Sequence, residues 1–172
     1  LRARQRQIAR SEEAGVRLNS LLKGRMLRRF ATLDADGRAL LAAAVATRMG
    51  GATVLVNNAG VDQPPDAGGS RSTIDDLPLE QFRRMIEVNL LGTFQVTQVF
   101  GGQMAARAGG SIVNIGSLYA SVSPDQRLYD HLPGDLPFLK SPAYGASKAA
   151  VVNMTKYFST LWGRQGVRVN TL

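Results

Sequence analysis

"ATVLVNNAG", residues 52–60, is a short apolar run that breaks, with no linker, into two asparagines, an alanine and a glycine. Such a run, bounded by turn formers, reads as a strand buried on both faces. Two more follow, "SIVNIG" at 111–116 and "VRVNTL" at 167–172. Between the strands the pattern turns helical. "RALLAAAVATRM" at 38–49 is an alanine-rich helix ended by Gly50 and Gly51. From about Leu79 to Arg107, Phe82, Met85, Ile86, Val96 and Phe100 recur at three- and four-residue spacing until Gly109 and Gly110. A further helix runs from 142 to about 163, with Ser141 at its cap, Pro142 at its first position and Gly166 beyond its end. Buried strands alternating with helices predict an α/β fold with a doubly wound parallel sheet, helices on both faces, and ligands at the carboxyl ends of the strands. The chemistry is therefore expected just after Asn57, Ile115 and Leu172.

The composition narrows the function. The chain of 172 residues suits a single domain spanning 1–172, and its balance of 44% hydrophobic to 20% charged residues is that of a globular protein. The longest apolar run, Ala39 to Ala46, is far too short to span a membrane. Without cysteine there is no disulfide, zinc–thiolate site or thiol nucleophile, and the cytoplasm is the default location. The net charge of +8 is concentrated at one end: residues 1–30 hold nine Lys and Arg against Glu12 and Glu13, and the remainder is close to neutral. That basic end lacks the interleaved aromatics of a nucleic-acid surface, so a solvated helix face is its expected role.

Tyr144 and Lys148, in "SPAYGASKAAV" (141–151), lie on one stripe with Val151, Thr155, Phe158 and Trp162, so they continue the apolar face of their helix. An ammonium one turn from a phenol stabilises the phenolate, as a phenolic general acid/base requires. A packed tyrosine beside a snorkelling lysine is the ordinary alternative. Three other stretches tilt the balance. Asn57 and Asn58 can tie strand ends together, while Ala59 and Gly60 let the backbone approach a flat ligand. "VNIGS" delivers Ser117 past the end of the second strand, and "EVNLLGTF" (87–94) sets Asn89 on a buried stripe, where its amide needs partners.

NNAG, the asparagine of VNLLGTF, the serine after VNIG, and YGASK followed by VRVN together resemble the ordered motif set of the short-chain dehydrogenase/reductase family, over about residues 36–172. The resemblance implies a Rossmann-like fold and a soluble NAD(P)-dependent enzyme, a homodimer or homotetramer, that interconverts an alcohol and a carbonyl of a small-molecule substrate by hydride transfer. In that scheme Tyr144 is the general acid/base, Lys148 holds the nicotinamide ribose, Ser117 hydrogen-bonds the reacting oxygen, and Asn89 anchors a water that passes the proton on. Asn57, Ala59 and Gly60 would line the cofactor cleft. No metal is expected.

Two departures stand out. No glycine-rich phosphate loop occurs before residue 50, so the family's first strand and that loop would precede Leu1, and its substrate-closing segment would follow Leu172. Residues 8–22 then match the end of the second strand and its helix, and "ATLDADGRALL" a shortened third strand leading into the next helix. This register puts Arg10 and Ser11 where the family meets the adenosine ribose, and an arginine there favours the 2′-phosphate of NADP, unless it is an ordinary surface residue. The second departure is an extended insertion, 117–141. Its Asp125, Gln126, Arg127, Tyr129, Asp130 and His131 suit a polyhydroxylated or charged substrate, as in relatives acting on sugars, although an exposed loop without such a role has the same composition. The rival functions are a cofactor-free module that binds a partner, to which the missing glycine loop points, and nucleic-acid binding through the basic N-terminus.

Overall fold

The computed structural model describes residues 35–63, 73–134 and 136–172; the expectations placed on residues 1–34, Arg10 and Ser11 among them, lie outside these. The order is α1 (Ala35–Met49), β1 (Val54–Asn57), α2 (Leu79–Ile86), a π turn (Glu87–Gly92), α3 (Thr93–Ala106), β2 (Gly110–Asn114), α4 (Pro142–Trp162) and β3 (Val167–Thr171). Short 3-10 turns at Leu118–Ala120, Gln126–Tyr129 and Gly163–Gln165 fill the connections. The three strands form one parallel sheet in the order β1-β2-β3. Among the described residues no helix is long and apolar enough to cross a membrane.

The α/β fold with a parallel sheet is as the sequence reads, with three differences. Helix α1 begins at Ala35, not at 38, and thereby brings Asp36 into its first turn, where a carboxylate suits the positive end of the helix dipole. The helix expected from Leu79 to Arg107 is interrupted by the π turn, which takes up an extra residue. And among the described residues the helices pack on one face of the sheet only. Leu55, Ile112, Val167 and Val169 meet Ala42 and Val45 of α1, Phe100 and Met104 of α3, and Phe158 of α4, while Val54 and Val56 on the other face are each 51% exposed. The strand order explains this. Both crossovers step in the same direction across the sheet, and right-handed crossovers in one direction place their helices on one side.

At the carboxyl end of the sheet a row of polar side chains replaces the apolar core. Asn57 stands opposite Asn114, and Asn114 opposite Thr171. Asn57 Nδ2 donates to Asn114 Oδ1 at 2.7 Å and to Thr97 Oγ1 at 2.9 Å. Asn114 Nδ2 donates to Thr155 Oγ1 at 2.8 Å, Thr171 Oγ1 donates to the same oxygen at 2.8 Å, and Thr155 passes its own proton to Val151 O at 2.8 Å. One hydroxyl with one proton and two lone pairs is thus fully used.

Replacing Thr155 by Val keeps the shape and removes this hub. Urea unfolding of Thr155→Val should show a loss of about 1–3 kcal/mol with an unchanged m-value, since a buried donor is left unsatisfied, whereas Thr155→Ser should stay near wild type.

Candidate active site

The loop that leaves β1 is held from below. The carboxamide of Asn89, in the π turn and 1% exposed, donates from Nδ2 to Val61 O at 2.9 Å and accepts from Val61 N at 2.7 Å. Nδ2 also donates to Ser147 Oγ at 3.1 Å, and that hydroxyl donates to Tyr144 O at 2.7 Å. Asn89 therefore joins the loop after β1 to the first turn of α4. The sequence shows that a buried amide there needs partners; which ones it takes depends on pairings 28 and 58 residues away.

Helix α4 starts where Ser141 Oγ accepts from Ala143 N at 3.3 Å, with Pro142 in the first turn. Its first turns lie against the loop after β2. A methyl on Gly145 would meet Tyr119 O at 2.9 Å, closer than real Cβ atoms come, so only glycine lets these backbones approach. Ser117 caps the turn Leu118–Ala120, accepting from Tyr119 N at 3.2 Å, and the Tyr119 ring meets that of Tyr144 edge-on at 6.4 Å. Ser117 and Tyr144 are thus tied through Tyr119.

Lys148, 6% exposed, donates from Nζ to Ile115 O at 2.7 Å and lies 5.7 Å from the centroid of the Tyr144 ring. Burial pushes its ammonium below the ordinary lysine range, and the charge of Asp62 opposes that shift. A methyl on Gly60 would stand 3.4 Å from Asn89 Oδ1 and 3.8 Å from Lys148 Nζ, so the bare backbone of Gly60 leaves the space over these two groups free of a side chain of its own. Asn57 is committed to the polar row, Ala59 is half-buried, and Asn58 is exposed. The structure brings Asn89, Ser117, Tyr144, Lys148 and Gly60 to one end of the sheet; Arg10 lies outside the described residues.

Of the polar groups singled out in residues 117–141, Asp125 and Arg127 form an ion pair with each other, Gln126 Oε1 accepts from Lys140 N at 3.0 Å, and Asp130 and His131 are exposed. Tyr129 is linked to the site through Tyr119, its hydroxyl 3.4 Å from that of Tyr119 and its ring centroid 4.9 Å from that of Phe138. Sequence reasoning passed over Lys140, whose ammonium is 5.6 Å from the Tyr144 ring centroid. The available signal was its spacing: Lys140 and Lys148 each stand four positions from Tyr144.

The family model described as enoyl-(acyl carrier protein) reductase matches residues 9–172. D-threitol dehydrogenase of Mycolicibacterium smegmatis is 37% identical over 147 residues, which is 84% of this chain and 48% of that protein. Galactitol 2-dehydrogenase of Rhizobium johnstonii is 35% identical over 121 residues, 70% of this chain and 40% of that one. Among solved structures, gluconate 5-dehydrogenase from Burkholderia cenocepacia, in complex with NADP and tartrate, is similar with a TM-score of 0.65 and 26% identity, covering 83% of this chain and 47% of its own. The chain spans about half the length of the curated relatives it matches.

The tyrosine pair offers a spectroscopic check. The hydrogen bond to Tyr119, with burial second, pushes the Tyr129 phenol from 10.0 up to about 12. Because the folded state favours the neutral phenol, its contribution to stability is complete below pH 10.0 and is lost as the pH rises toward about 12. Titration of phenolate absorbance should show this late ionisation, and Tyr119→Phe should move it back toward the ordinary value.

Proposed function

The chain belongs to the short-chain dehydrogenase/reductase family, and we propose that it carries the catalytic residues of an NAD(P)-dependent oxidoreductase that interconverts an alcohol and a carbonyl on a sugar, a polyol or a similarly polar small molecule. The observation that carries this reading is the convergence of Tyr144, Lys148 and Ser117 beyond the carboxyl ends of β1 and β2, beside the bare backbone of Gly60. Relatives named as polyol dehydrogenases support the substrate class.

The residues present fit a dinucleotide: Gly60 leaves space against Asn89 and Lys148 that a side chain would fill. Ala59 and Gly60 would line the cofactor, Asn57 would level the strand beneath them, and Lys148 would hold the nicotinamide ribose. When bound, the nicotinamide supplies or accepts the hydride. The chain does the rest. Tyr144 exchanges a proton with the reacting oxygen, Ser117 donates a hydrogen bond to that oxygen, and Lys148 sets a positive charge beside the phenol. The side chain of Asn89 is committed to Val61 and Ser147. That side chain fixes the loop, and the water expected at Asn89 would share Lys148 Nζ, which keeps two of its three hydrogens after the bond to Ile115 O, the one bond it makes among the described residues. The preference for NADP argued from Arg10 rests on sequence register alone. Leu91 and Phe94, with Tyr157 and Leu161 on α4, are exposed large apolar side chains, and a second copy covering them gives the homodimer or homotetramer.

Nicotinamide fluorescence on the full gene product should show saturable binding of NADPH or NADH. Tyr144→Phe should then lower turnover by about 10²–10⁴-fold with cofactor affinity nearly unchanged. A product that binds neither nucleotide is a cofactor-free relative instead. In light scattering at micromolar concentration the same material should run as a dimer or tetramer, and Leu161→Glu should shift it toward monomer.

A further inference from the structure

Among the described residues, Lys140 and Asp62 form the one ion pair with a buried member: the lysine side chain is 5% exposed and the aspartate 41%, whereas both partners of the other two pairs are largely exposed. Lys140 Nζ donates to Asp62 Oδ2 at 2.8 Å and to Gln63 O at 2.9 Å, and Ser141 N donates to Gln63 Oε1 at 3.3 Å. Together with the bond from Lys140 N to Gln126 Oε1 at 3.0 Å, these stitch the segment after β1 to the segment that enters α4. Taking an ammonium out of water costs several kcal/mol, and an apolar pair of similar size would join two segments about as stably. Stability alone therefore does not account for charge at this place.

Its surroundings do. The ammonium of Lys140 is 5.6 Å from the Tyr144 ring centroid, and the charge of Asp62 is felt by Lys148 on α4 and by Tyr129 in the insertion. Asp62 therefore faces the reacting tyrosine's neighbourhood from the loop after β1. Its position is fixed: Val61, just before it, is held at both backbone atoms by Asn89. Asp62 Oδ1 accepts from Gln63 N at 2.7 Å and Oδ2 from Lys140. An ionised carboxylate offers about four acceptor positions, so among the described residues about two stay open on a partly exposed group. A rigid acceptor, neutralised by a buried lysine that itself stands 5.6 Å from the centroid of the Tyr144 ring, recognises hydroxyl donors.

We infer that Asp62 is a specificity-determining residue: its carboxylate, pinned by Lys140, accepts a hydrogen bond from a substrate hydroxyl neighbouring the one that reacts. The inference rests on the dehydrogenase reading and selects polyhydroxylated over monohydric alcohols.

The test compares oxidation of a four-carbon tetritol and of butan-2-ol by the full gene product. Asp62→Asn, whose amide oxygen still accepts from Lys140, should lower kcat/KM for the tetritol about tenfold, chiefly through KM, and leave butan-2-ol within about twofold. Parallel losses on both alcohols would overturn the inference and leave Asp62 a structural partner of Lys140. If the wild type takes the tetritol alone, a rise in KM at constant kcat supports the inference and an unchanged KM overturns it. Should Asp62→Asn fail to fold, Asp62→Glu keeps the charge and displaces it by a methylene; a fall in the same tetritol preference supports the inference, and a constant preference refutes it. A wild type that oxidises butan-2-ol alone refutes the inference and spares the dehydrogenase reading; one that oxidises neither alcohol overturns the inference, and the dehydrogenase reading falls with it only if neither NADH nor NADPH binds.

Discussion

The hydrogen bond between Asn57 and Asn114 decides the geometry above it. Two buried amides side by side at the ends of parallel strands are tolerable only when every polar atom finds a partner, since an unsatisfied one in the low-dielectric interior costs more than the bond contributes. Thr97 of α3 and Thr155 of α4 supply those partners, and Thr171 of β3 donates in turn to Thr155. Five elements are locked to one another at a single level of the sheet. From that level the loop carrying Gly60 leaves β1 and the loop carrying Ser117 leaves β2, which is why two separate loops arrive at the end of the sheet where α4 begins.

The parts of this arrangement that show in the sequence are those in which one segment determines its own state. The apolar runs ending in Asn57 and Ile115, the stripe of Tyr144, Lys148, Val151 and Thr155, and the Ser141–Pro142 cap need only local periodicity and capping to be read. The burial of Asn89 follows from its place between apolar residues. Its partnership with Val61 does not, because that contact needs the crossover to close first. Lys140 and Asp62 are harder still: they lie in aperiodic segments rich in Gly, Pro and Asp, 78 residues apart, and nothing in either segment names the other. The one-sided helix layer was legible in principle, from the handedness rule and the strand order, but the order is itself a product of folding.

Charge in this molecule is arranged on two scales. The sequence concentrates its excess of Lys and Arg in residues 1–30. Around Tyr144 the arrangement is different: two buried lysines approach one phenol, and a single aspartate answers both, by contact with Lys140 and through space with Lys148. Partial compensation of this kind lowers the cost of burying the two ammonium groups while leaving directional donors and acceptors, which suits the recognition of a hydrogen-bonding ligand.

The π turn at Glu87–Gly92 settles a conflict of phase. Upstream of it, Met85 faces the core; within it, Asn89 faces Val61; downstream, Thr97, Phe100 and Met104 face the core again. Each residue of an α-helix advances about 100° around the axis, so in an unbroken helix Met85, Thr97, Phe100 and Met104 would spread over about 120°, and accommodating one residue outside the regular count brings the downstream set back into line with Met85. The stretch 87–92 thus works as a frame correction. It joins two reading frames of side chains on one rod, Met85 and Asn89 in the frame before it and Thr97, Phe100 and Met104 in the frame after it. Loss of a single residue there would turn everything beyond it by more than a quarter of a revolution, so that the core face of the second half would no longer continue that of the first.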